Sequence, residues 1–145
     1  MNAGMAITAA EPLGLWGLLK ESFASSAEMT HAATDPNANA LVKAVVADFT
    51  TSEGRTVARD GLKAEFANSQ PAEIKTKAIE QLRQVAAVLT AKAPGDAAAF
   101  KSWLRQIGQK TAEAASEGGG WFGGGVQVSD AEKATLGEIS SALGI

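Results

Sequence analysis

From Pro71 to Lys92 apolar side chains recur every three or four positions, at Ile74, Ala78, Ile79, Leu82, Val85, Ala86 and Leu89. A helix gathers such positions on one side, because its turn takes about 3.6 residues, whereas a strand alternates with period two. Glu73, Lys77, Glu80 and Arg83 fall on the opposite side. Glu73 stands four residues ahead of Lys77, the favourable order for a weak ion pair along a helix. One apolar side must be covered by neighbours, so this stretch by itself calls for a core built from several packed helices.

The rest of the chain supplies those neighbours. About a fifth of the 145 residues are alanine, tyrosine is absent, and aromatic residues make up 6%. Alanine has the lowest helix cost of any residue, while strands favour β-branched and aromatic side chains, so composition leans helical. A first helix is expected from Pro12 to about Glu28. Leu15, Leu19 and Phe23 line one face, and Leu13, Trp16 and Leu18 make it apolar almost all round. Such a helix is a central core element or a surface for a partner or a second copy. Gly14 and Gly17 weaken its first turns, each costing ~1 kcal/mol relative to alanine. Thr30 to Thr34 reads as a loop, and Asp35-Pro36 as an N-cap followed by proline at the first helical position. Leu41, Val42, Val45, Val46 and Phe49 mark a second helix that Gly54 ends or bends. A third spans about Arg55 to Asn68, with Ala58, Leu62 and Phe66 at four-residue steps and Gly61 weakening it.

Beyond Lys92, Pro94-Gly95 breaks the chain and Asp96 is a fitting cap for the next helix. Its apolar face is Phe100, Trp103, Leu104 and Ile107, continued by Thr111 and Ala114, and it ends near Glu117. Gly118 to Gly125 holds six glycines around Trp121-Phe122, and Val126-Gln127-Val128 reads as a short extended link. Ser129 and Glu132 have the spacing of a capping box, in which the serine oxygen takes the Glu132 N–H and the carboxylate reaches back to the serine N–H. Ala134, Leu136, Ile139 and Leu143 form the packing face of this last helix, and Gly144 is placed to end it. The expected fold is all-α: one compact domain over residues 1–145 with about six helices and a glycine-rich loop before the last. Residues 1–10 are a flexible N-terminal segment in this reading.

Several function classes drop out. With no cysteine there is no disulfide framework, thiol nucleophile or thiolate zinc site. A net charge of −3 with scattered Lys and Arg does not give a nucleic-acid footprint. No apolar run reaches the roughly 18 residues that span a bilayer. The uncharged start, Met1 to Ala10, lacks the basic leader of a signal peptide. The chain reads as cytoplasmic, with no membrane span.

Candidate chemistry is sparse. Gly118, Gly120 and Gly123 match G-x-G-x-x-G, but they follow a helix, whereas a dinucleotide site needs a preceding parallel strand. The Lys-Ser/Thr ending of a phosphate-cradling loop is also missing. A flexible linker needs no tryptophan, so the aromatics are informative. They either pin the loop to the core or meet a partner or ligand, and Trp121, Phe122, Gly120 and Gly123 are the candidate partner-binding residues. His31, the one histidine, has no nucleophile elbow and no H-E-x-x-H motif around it, and is expected exposed and idle. Glu113 and Glu117 share a helix face, where two carboxylates suit an ion. The di-metal bundle pattern, however, needs Glu-x-x-His pairs that this chain cannot supply. Asp48, Glu53 and Asp60 match no calcium-loop spacing. No catalytic residue, metal ligand or cofactor is assigned, and the chain is not expected to be an enzyme.

The segment Gly125-Val126-Gln127-Val128-Ser129-Asp130-Ala131-Glu132-Lys133, running on into Leu136 and Ile139, resembles one element of the tellurite-resistance TerB-like helical family. Its pattern D-G-x-[IV]-[ST]-x-x-E precedes a helix, and Val128, Ser129 and Glu132 hold the matching positions. Gly125-Val126 replaces the leading Asp-Gly, whose aspartate belongs to an acidic metal-binding region in that family. The whole chain, above all its E-G-G-G-W-F-G-G-G-V-Q-V-S run, is also similar to uncharacterised helical proteins of bacterial genomes. Both resemblances imply an all-α bundle. The leading expectation is a non-enzymatic helical interaction protein with a stress-related role, binding a protein partner or a second copy. The alternative is a TerB-like module that binds a small ligand or metal ion.

Overall fold

In a computed structural model of the protein, residues 27–116 and 128–145 are described. They form six helical segments and no strand. These are α1, residues 27–34; α2, Ala40–Thr50; α3, Ser52–Phe66; α4, Pro71–Lys92; α5, Pro94–Ser116; and α6, Asp130–Leu143. The all-α expectation holds for this part of the chain. The first ten residues, and nearly all of the helix expected from Pro12, lie outside it.

Helix starts and stops follow local side-chain chemistry, and four of them differ from the reading above. Thr30 to Thr34 is helix rather than loop: the Asp35 N–H still reaches the His31 carbonyl at 2.9 Å, and the Thr34 hydroxyl folds back on the Thr30 carbonyl at 3.1 Å. Asp35 does not cap α2. Its Oδ1 accepts from the Asn37 N–H at 2.8 Å, which turns the chain. Asn39 then takes the cap position, its Oδ1 accepting from Leu41 N at 2.9 Å and Val42 N at 3.3 Å. The short amide matches the orphan N–H groups of the first turn.

The junction between α2 and α3 lies at Thr51, not at Gly54. The Thr51 hydroxyl donates to the Asp48 carbonyl at 2.8 Å and accepts from Gly54 N at 2.9 Å, so one residue closes α2 and caps α3. Gly54 is buried within the first turn of α3, and a Cβ there would overlap the Asp48 carbonyl. Glycine is present for close approach of two backbones, not for a bend. Similarly, Pro94 and Gly95 belong to α5, with Ala93 alone between α4 and α5. Proline at the first helical position forfeits no hydrogen bond. Asp96 lies in the first turn and is not the cap.

The last helix fits its sequence closely. Ser129 N donates to Glu132 Oε2 at 2.9 Å and Glu132 N donates to Ser129 Oγ at 3.2 Å, the reciprocal capping box. At the other end Gly144 adopts φ 70°. Its N–H reaches the Ser141 carbonyl at 3.2 Å, and the Ile145 N–H reaches that of Ser140 at 3.1 Å. This pair of bonds is the Schellman closure that glycine makes without strain.

Two buried clusters share α4 and α5. The first joins Ala78, Ile79, Leu82 and Ala86 of α4, Ala112 of α5, and Leu136, Ile139, Ala142 and Leu143 of α6. Phe66, Leu104 and Val128 pack on its margin. The second joins Ala32 of α1, Val42 and Val46 of α2, Leu89 of α4, and Ala97, Phe100, Trp103 and Ile107 of α5. Each fully buried Leu or Ile stabilises the fold by about 1.5–3 kcal/mol before entropy is counted. The α4 stripe thus packs from Ala78 to Leu89, while Ile74 at its start is half-buried and in neither cluster. Ala134 is a correction, being exposed, while Thr135 beside it is fully buried. The Thr135 hydroxyl donates to the Ala131 carbonyl at 2.9 Å, which satisfies its polar atom and leaves a methyl for packing. The side chains of Leu62 and Ala114 lie outside the described residues.

Candidate functional site

The four residues singled out as partner-binding, Gly120, Trp121, Phe122 and Gly123, lie outside the described residues, as does Glu117. Their flanks are described. On the near side, Thr111 and Ala112 of α5 are both fully buried. The Thr111 hydroxyl donates to the Ile107 carbonyl at 2.8 Å. On the far side, Val128 packs on the same cluster that contains Ala112, and Ser129 begins α6 through its capping box. Two exposed side-chain links join α6 to its neighbours. Arg105 Nε of α5 donates to Ser140 Oγ of α6 at 2.9 Å, and Lys75 of α4 pairs with Glu138 of α6 at 2.7 Å.

Glu113, one turn before the end of α5, has its carboxylate engaged along its own helix. Gln109 Nε2 donates to it at 3.0 Å and Lys110 Nζ at 3.1 Å. The Gln109 hydrogen bond, followed by that from Lys110, holds its pKa below the ordinary carboxylate value, against a smaller opposing effect of burial. Hydrogen bonds to the ionised form favour that form.

His31 is exposed, on α1 rather than on a loop. Asp48 and Glu53 are exposed on either side of Thr51, and Asp60 pairs with its neighbour Arg59 at 3.2 Å. The structure does not bring these acids together. Among the described residues no three His, Cys, Asp or Glu side chains stand close enough to hold a metal ion, and no helix is long and apolar enough to cross a membrane.

The Glu73–Lys77 pair does not form. Glu73 Oε2 accepts from the Gln70 backbone N–H at 2.8 Å, and Lys77 Nζ reaches Ser69 Oγ at 2.8 Å. An orphan N–H at a helix start competes for the carboxylate and wins over an exposed ion pair worth little.

Two features went unread in the sequence. Asn39 couples α2 to α5, because its Nδ2 donates to Asp96 Oδ1 at 2.7 Å while its oxygen caps α2. The residues are 57 positions apart, and nothing local announces the link. Trp103 is buried with its indole N–H unpartnered among the described residues, edge-on to Phe100 with ring centroids 5.3 Å apart. Its helical spacing marks it as core, but spacing carries no information on whether a polar atom finds an acceptor.

Comparison of the chain with protein-family models, with curated proteins and with solved structures returns no match.

Proposed function

We propose that this protein is a non-enzymatic helical interaction protein that engages a partner through Trp121 and Phe122. The observation that carries the reading is the common footing of the glycine-rich run. Ala112 before it belongs to the first core cluster, and Val128 after it packs on that cluster. The segment bearing the two aromatics is therefore tethered at both ends to one packed body. Tryptophan is enriched among the residues that dominate binding energy, since it offers a large apolar area on few rotatable bonds. The partner is another protein or a second copy of the chain, in a cytoplasmic setting. A stress-related role rests on the TerB-like resemblance of the segment that begins at Gly125. The metal-binding alternative draws less support, because Gln109 and Lys110 already occupy the Glu113 carboxylate.

The test is affinity capture with the full chain, followed by titration calorimetry on the captured protein and light scattering for self-association. Trp121→Ala is expected to weaken binding, or the dimer, by at least about 30-fold, the scale of a binding hot spot, while the helical circular dichroism stays unchanged. Undiminished binding by this variant would overturn the assignment of the loop.

A further inference from the structure

We draw no further inference here: the strongest candidate, the indole N–H of Trp103 in the second core cluster, unpartnered among the described residues, lies edge-on to Phe100 in a predominantly apolar cluster, and nothing in the structure shows what ligand it would meet.

Discussion

Asn39 holds two helices with one amide. Its oxygen caps α2, and its nitrogen donates to Asp96 in the first turn of α5. Asn39→Ala removes both, and a cap of ~1 kcal/mol together with a hydrogen bond to a charged group adds to a loss of about 3 kcal/mol. Denaturant melts at neutral pH should show it as a lower midpoint with unchanged slope. Asn39→Asp retains the cap but sets a second carboxylate against Asp96, so in the same melts it too should fall below the parent protein. Glycines divide by the same local reasoning. Gly54→Ala must push against the Asp48 carbonyl and should lower the melting temperature. Gly61 and Gly137 are exposed within helices and have open space where a Cβ would go. Alanine at either should stabilise by about 0.5–1 kcal/mol, through helix propensity and a less disordered unfolded chain.

At the scale of elements, legibility tracked how much of a helix is decided by its own apolar pattern. Over α4 the stripe from Ile74 to Leu89 is long and regular, and its bounds agree with the reading to the residue. Residues 30–34 carry two threonines, a histidine and two alanines, with no stripe to read, and there the helix was missed. Only Ala32 of the five is buried, packed in the second cluster, so tertiary contact decides what local pattern leaves open. Caps were harder still. Ser129 and Glu132 carry both halves of their signal three residues apart, whereas Asp35 and Asn39 are equally good cap residues, and the Asx turn at Asp35 separates them. The Glu113 group gives α5 a pH signature. Its folded pKa is depressed, so its contribution is present above the unfolded value and is lost as pH falls through the folded one. Glu113→Gln should flatten that part of the acid limb in melts. In the parent protein, the Glu113 carboxyl signal should titrate below the usual carboxylate range by NMR.

The whole molecule is organised by α4 and α5, each of which contributes side chains to both clusters. Ile139 is in the first cluster and Ile107 in the second, and both are buried. Ile139→Ala and Ile107→Ala should each cost about 2–5 kcal/mol. Because two helices run through both clusters, methyl NMR signals of Leu143 and Val46 should vanish together in a denaturant titration. Separate transitions would mean that the clusters unfold as independent units. The bundle was readable because burial of apolar stripes is a property of the chain itself. The candidate site was not, because a glycine-rich run with two aromatics states that something is covered without stating by what.

The single threonine between α2 and α3 also sets a screw angle. One amino acid inserted into the first turn of α3, after Thr51, would turn every later residue of the helix by about 100° about its axis. Phe66, fourteen residues beyond Ser52 at the far end of that rod, would swing off the first cluster. A length change at the α2–α3 corner is therefore felt along the whole of α3, because one side chain closes α2 and caps α3.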